Sequence, residues 1–193
     1  MQRRPAKVLE PANLRQLLRH VGYQRYPERN RVMVLLSFKA GLRACEIAGL
    51  EWPMILASNG CVGGQIAIVR AIAKGGYGRA IPLNSELKSA IRALHSVEGR
   101  PHTGPIVRSE RGRAMIPGSV VNWFSRLYAE LGLVGCSSHS GRRTFITASA
   151  RVLARTGGSL RDIQELAGHR SLVTTERYIE GNRVAQRRLI SLI

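Results

Sequence analysis

Apolar residues recur at helical spacing through most of this chain. Leu14, Leu17, Leu18 and Val21 fall on one side of a segment that Pro11 opens and Gly22 closes, which predicts an amphipathic helix. The polar stretch that follows, up to Asn30, reads as a loop. Val32, Val34, Leu35, Leu36 and Phe38 then place apolar side chains on several faces of a helix over 31–40, the pattern of an element in the middle of a core. Gly41 interrupts it, and a short helix over 43–50 follows.

The period changes from helical to alternating in one region. The β-branched run 65–70, bounded by Gly63 and Gly64, and the segment 79–83 flank a glycine-rich turn at 74–78, which predicts an antiparallel hairpin. Pro82 has no amide hydrogen to donate, so its strand lies at an edge or ends there. A further strand near 54–57 would precede the hairpin.

Beyond it the helical period returns. Asn84 is placed to cap a helix carrying Leu87, Ala90, Ile91 and Leu94 inward. Residues 99–118, rich in Gly, Pro and Arg, read as a long loop with a short strand at Ile106-Val107, and Ser119 as the cap of a helix through Leu131. A helix over 140–155 stops at Gly157-Gly158. Ser159 and Asp162 have capping-box form at the head of another, which Gly168 breaks. A last helical turn from Ser171 should carry Tyr178. The tail, with Val184, Leu189, Ile190, Leu192 and Ile193, predicts a final apolar helix in search of a partner. The fold class expected is mainly α with a small antiparallel sheet (α+β). It would form one domain over 1–193, with a flexible basic arm at 1–8 and a C-terminal helix at 182–193 that docks either on a neighbouring copy or on its own domain.

Charge narrows the partner. Thirty basic side chains against twelve acidic ones give a formal charge of +18, a field that draws polyanions. Nucleic acid is the leading partner and an anionic membrane surface the second; ribosomal proteins share this composition. Only Lys7, Lys39, Lys74 and Lys88 are lysines. The arginine excess suits bidentate contact with phosphate, although GC-rich coding would produce the same bias. Cys45, Cys61 and Cys136 are odd in number and scattered, which reads as reduced thiols in a cytoplasm-like compartment. The N-terminus lacks an apolar leader, and no apolar run approaches the about 18 residues of a membrane span.

The candidate chemistry lies mostly between His139 and Tyr178, with Arg43 and Lys74 upstream. Transfer of a phosphodiester to a tyrosine needs a nucleophile, cations on the non-bridging oxygens, hydrogen-bond donors and an acid for the leaving oxygen. Arg43 and Arg142 suit the clamp. His139 stands one helical turn before Arg142, so both can face one phosphate from a helix start. His169 follows a glycine at a helix end and can donate. Lys74, in the hairpin turn, suits the acid, and Tyr178 the nucleophile.

Each residue alone has a plainer reading: a solvated histidine, a core-edge tyrosine, a turn lysine, an ion pair of Arg43 with Glu46. A metal site from Cys136-x-x-His139 with His169 lacks the paired spacing of zinc ligands.

The ordered set resembles the tyrosine recombinase, or phage integrase, family. Ala40-Gly-Leu-Arg43-Ala-Cys-Glu46 through Leu50 resembles its first arginine box, and Lys74-Gly-Gly-Tyr-Gly-Arg through Leu83 its hairpin lysine. His139-Ser-Gly-Arg142 is similar to its His-x-x-Arg box, Leu166-Ala-Gly-His169 to its Gly-His box, and Tyr178 to its nucleophile. The resemblance covers roughly residues 8 to 181.

It implies a site-specific recombinase that uses neither metal nor ATP and works in the bacterial cytoplasm, associated with the nucleoid. Tyr178 would form a 3′-phosphotyrosyl link, Arg43, Arg142 and His169 would hold the phosphate, His139 would assist proton transfer at the tyrosine, Lys74 would protonate the leaving 5′-oxygen, and Glu46 would steady Arg43. The implied partners are double-stranded DNA, further copies of the chain (a tetramer on DNA) and an accessory bending or clamp protein.

Two positions depart from the family's pattern: Gly141 stands where Leu is usual, and Arg143 where His is frequent. The few residues before the first helix also leave no room for the family's N-terminal clamp domain, so a catalytic domain alone is expected, as in the short fimbrial-switch recombinases. Two other readings use the same residues. One is a type IB topoisomerase-like enzyme that nicks and reseals. The other is a DNA-binding regulator that keeps the fold without turnover.

Overall fold

The computed structural model describes residues 6–178, 186, 187, 190 and 191. Its helices follow the apolar spacing closely. The first, α1 (Pro11–Val21), starts at a proline whose missing amide hydrogen is no loss in a first turn, and it buries Leu17 and Val21. The second, α2 (Pro27–Lys39), is the centre of the molecule, with Val32 to Leu36 fully buried. It packs against α1, against α4 (Ser85–Val97) and against α6 (Ser140–Thr156). The short α3 (Ala44–Ala48) packs on α5 (Pro117–Glu130). Two small helices, α7 (Leu160–Ala167) and α8 (Leu172–Glu176), pack on each other, and α7 also meets α6.

The sheet has two antiparallel strands among the described residues, β1 (Gln65–Ile68) and β2 (Arg79–Pro82). Their register pairs Ile66 with Ile81 and Ile68 with Arg79. Alternation puts Ile66, Ile68 and Ile81 into the core, and Arg79 on the same inward face. Pro82 is the last residue of its strand, as its missing donor requires.

Four elements differ from the sequence reading. The helix expected from Arg31 begins at Pro27, because its polar first turn is packed: buried Asn30 donates to Gln24 (2.7 Å) and accepts from Arg29 (2.8 and 3.0 Å). The helix expected to be capped at Ser119 begins at Pro117, again with proline in the first turn. The strand expected near 54–57 is a 3-10 turn at Trp52–Met54 and a single bridge between Leu56 and Val62. At Ile106-Val107 the chain is buried but forms only isolated bridges on either side, Glu51 to Pro105 and Arg108 to Ala114.

Tyr178 falls just past the end of α8. In the expected C-terminal helix, Val184, Leu189, Leu192 and Ile193 lie outside the described residues, as do residues 1–5 of the expected arm. No helix among the described residues is long and apolar enough to cross a membrane.

Two apolar clusters result. The larger joins α1 to α5 and the hairpin. The smaller is built on Ile146, Ile163 and Ala167 from α6 and α7, with Tyr178 against it. Polar side chains bridge the two.

Candidate active site

Arg43 stands at the N-cap of α3, and its guanidinium reaches in two directions. Nη1 donates to Glu46 Oε1 (3.1 Å) within the same turn, and Nη2 to the Gly168 carbonyl (3.3 Å) at the end of α7. Glu46 Oε2 also accepts from the Arg43 amide (2.9 Å), closing the first turn of α3. Glu46 has no exposed side-chain surface. Burial alone would favour its neutral form, but the hydrogen bonds and charge of Arg79, then those of Arg43, outweigh it and hold the carboxyl below its usual range.

Arg142 sits in the first turn of α6 and is 4% exposed. Its Nη1 donates to the Gly41 carbonyl (2.6 Å) and its Nη2 to the Ala167 carbonyl (2.6 Å). These bonds tie the α2–α3 turn of the larger cluster to α7 of the smaller one. Burial first, then the neighbouring charge of Arg43, pushes Arg142 down to about 10, so it stays cationic at neutral pH. A guanidinium carries five N–H donors. Among the described residues Arg43 and Arg142 each give two to the protein, which leaves three on each for a ligand.

Arg79 was not among the residues singled out from the sequence, yet it completes this group. Its Nη1 and Nη2 fork onto Glu46 Oε1 and Oε2 (2.8 and 3.0 Å), and Nε donates to the Leu166 carbonyl (2.9 Å). The signal was its parity: counting by two from Ile81 puts a cation on the buried face of β2. Two guanidinium groups, Arg43 and Arg79, therefore bond one carboxylate, and the charge of that carboxylate also reaches Arg142; the four side chains together carry a net charge of +2.

His169 follows α7 and is 8% exposed. Its Nδ1 is 3.0 Å from the hydroxyl of fully buried Thr175, a second residue missed from sequence, and its carbonyl accepts from Gln164 Nε2 (3.0 Å). The hydroxyl can pair with either tautomer; where it donates to Nδ1, the ring proton sits on Nε2 and is free for a ligand. Burial, then the charges of Arg142, Arg43 and Arg79, push His169 down to about 4, so it is a neutral donor at physiological pH. The Tyr178 ring stacks on His169 at 5.6 Å and 20°, and the Arg143 guanidinium lies 5.5 Å from the other ring partner's centre, that of Tyr178.

The remaining two candidates lie at the rim. His139 heads α6 and is exposed; partial desolvation, then the charges of Arg142, Lys74 and Arg43, lower its pKa. Lys74 is exposed in the loop between β1 and β2. It shares a cleft of about 950 Å³ with Arg79, Gln164, His169 and Arg170. The structure thus joins Arg43, Glu46, Arg142, His169 and Tyr178 through a chain of side-chain and backbone contacts, while His139 feels the charges of Arg142, Lys74 and Arg43, and Lys74 lines the cleft of His169. Among the described residues no three His, Cys, Asp or Glu side chains gather as a metal-binding group.

The departure at Gly141 has a steric cause. A Cβ there would stand 2.3 Å from Ser37 Oγ and 2.7 Å from Phe38 Cδ2, so only glycine lets α6 approach α2 this closely.

The sequence pattern of the phage integrase family matches residues 7–183. Tyrosine recombinase XerC of Pelobacter propionicus is 32% identical over 157 residues, which is 80% of this chain and 48% of the relative. XerC of Azotobacter vinelandii is 27% identical over 180 residues, 92% of this chain and 56% of the relative. The chain spans about half the length of the curated relatives it matches. Among solved structures, XerA recombinase superposes with a TM-score of 0.73 at 20% identity over 98% of this chain and 65% of that one. A lambda integrase dimer bound to a core site superposes at 0.68 and 20% identity, covering 93% and 60%. With its fold matched and nearly its whole length within the family's pattern, the chain belongs to the phage integrase family of tyrosine recombinases.

Proposed function

We propose that this chain carries out the strand cleavage and rejoining of a site-specific DNA recombinase, with Tyr178 as nucleophile. The observation that supports this most is the Tyr178 ring stacked on His169 beside the Arg43–Arg79–Arg142 group. The net charge of +2 on Arg43, Arg79, Arg142 and Glu46 is equal and opposite to the −2 of a pentacoordinate phosphorane, so the site favours the transition state over the singly charged diester.

In the forward step the Tyr178 oxygen attacks phosphorus, a P–O bond to tyrosine forms, and the P–O5′ bond breaks. His139 assists removal of the phenol proton, and Lys74 Nζ gives a proton to the departing 5′-oxygen. The products are a 3′-phosphotyrosyl link and a free 5′-hydroxyl. Attack by a hydroxyl from another strand reverses each transfer, so no external energy source is needed. Arg43 and Arg142 hold the non-bridging oxygens with their spare donors, and neutral His169 donates from Nε2. Glu46 and Arg79 keep Arg43 in place.

Double-stranded DNA is the substrate in this reading. The net charge of +18 supplies the attraction, so binding should weaken steeply with salt. Related structures include XerH recombinase bound to difH and the lambda integrase dimer on its core site. By analogy, several copies of this chain act together on DNA, with an accessory bending protein where the site requires one.

The test is covalent capture. Wild type and Tyr178→Phe are mixed, without divalent metal, with nicked suicide duplexes tiled across the DNA flanking the chain's own coding region. A detergent-stable adduct from wild type alone is expected. Retarded DNA with no adduct on any duplex would overturn the cleavage reading in favour of a DNA-binding regulator.

A further inference from the structure

The loop between β1 and β2 carries Lys74 and contains Gly75, Gly76 and Gly78, so its intrinsic conformational freedom is large. A flexible ammonium on a flexible loop spends little time at any one point. The structure ties this loop at two places. At its end, Arg79 is fixed to Glu46 and to the Leu166 carbonyl. Near its middle, Arg170 Nη2 donates to the Gly75 carbonyl (2.8 Å), and the same guanidinium lies 5.7 Å from the centre of the Tyr77 ring. Gly75 has φ +105°, and a Cβ on it would stand 3.0 Å from Arg170 Nε, so the arginine lies directly against the loop backbone.

The other end of this contact is rigid. Arg170 immediately follows His169, whose carbonyl is held by Gln164 and whose ring is held by Thr175. The position of the loop is thus referred to the group that contacts phosphate. Lys74 and His169 line one cleft as a result. The hydrogen bond together with the flat stacking face suits arginine and not lysine, which is a point charge without a planar fork.

We propose that Arg170 is a positioning residue for Lys74: by holding Gly75 and Tyr77 it places the lysine where its proton can reach the departing 5′-oxygen. This rests on the strand-cleavage reading above. Arg170 itself transfers no proton. Its removal slows only the part of the reaction that depends on Lys74.

A leaving-group substitution isolates that part. A duplex with sulfur in place of the bridging 5′-oxygen expels a thiolate, which leaves without being protonated. Cleavage rates are measured on oxygen and sulfur duplexes for wild type, Lys74→Ala, Arg170→Ala and Tyr77→Ala. Arg170→Ala should cleave the oxygen duplex about tenfold more slowly, a fraction of the full contribution of a general acid, and the sulfur duplex at close to the wild-type rate. Lys74→Ala should show the same pattern more strongly, and Tyr77→Ala, which removes the other half of the contact, more weakly.

An equal deficit on both duplexes, or none on the oxygen duplex, would overturn the role of Arg170 while leaving strand cleavage intact. Absence of any Tyr178-dependent adduct from wild type on either duplex would overturn the cleavage reading and the proposal with it.

Discussion

Arg79 grips both carboxylate oxygens of Glu46, at 2.8 and 3.0 Å, with the carboxylate fully buried and the arginine side chain 8% exposed. This fork joins β2 to α3 across the molecule. It leaves Glu46 Oε1 shared with Arg43, so the position of Arg43 depends on Arg79 behind it.

Removing Arg79 should therefore be costly. Arg79→Ala strips a buried carboxylate of its main partner, a change worth about 3–5 kcal/mol when such a pair is broken from one side. Urea denaturation should show that loss in the midpoint. Arg79→Lys should recover part of it, because a single ammonium can meet one oxygen but not both. A midpoint for Arg79→Ala within experimental error of wild type would falsify the arrangement.

Stability should also fall as pH drops below neutral, an effect of the histidines that Glu98, whose pKa burial raises, partly opposes. His169 is held at about 4 in the folded chain against 6.5 when free. Between those values the unfolded chain binds the proton and the folded chain does not, so stability is complete above pH 6.5 and is lost as pH falls toward 4. His139, shifted in the same direction, adds to the loss. Glu46, whose pKa is lowered, contributes only at pH below its usual range, where protonation again favours unfolding. Unfolding free energies taken from pH 7 to 4.5 should decline, and His169→Gln should flatten the decline. An unchanged slope in that variant would place the titrating group elsewhere.

Much of this was readable from sequence because the recombinase boxes sit at helix ends and turns, where spacing alone fixes which residues face one another. Arg43, His139, Arg142, His169 and Tyr178 each lie within two residues of a helix terminus. Arg79 was hidden by its position in a strand, where only the parity with Ile81 betrays it. Thr175 was hidden because its hydroxyl matters only once the turn after α7 brings His169 back over α8. The first turn of α2 reads as loop in the sequence for a related reason. Arg29, Asn30 and Gln24 are polar, but they satisfy one another inside the fold, an arrangement that hydropathy cannot express.

Restoring a side chain at position 141 should be harmful in this chain. Gly141→Ala puts a Cβ against Ser37 Oγ and the Phe38 ring, between two helices that both hold the site. Overpacking of this kind costs about 1–3 kcal/mol. Ser37→Ala, which removes the nearer of the two atoms, should return part of the lost thermal midpoint when combined with Gly141→Ala. Ser37 Oγ is buried without a hydrogen-bond partner among the described residues, so Ser37→Ala alone should be nearly neutral. Simple additivity of the two changes would mean that they do not share this contact.

Thr175→Val tests how His169 is oriented. The substitution keeps shape and volume close to those of threonine but removes the hydroxyl 3.0 Å from Nδ1. Without that partner the Nε2–H tautomer loses the hydroxyl that can donate to its Nδ1, and the ring loses a side-chain anchor. Adduct formation on a suicide duplex should slow by about tenfold, a loss typical of disturbing one positioned donor rather than deleting a nucleophile. Thr175→Ser restores the oxygen and should restore the rate. DNA affinity should stay near wild type in both variants, because Arg43 and Arg142, the proposed phosphate ligands, are untouched. A full rate in Thr175→Val would show that the stacked Tyr178 ring and the Gln164 bond to the His169 carbonyl orient the histidine without help.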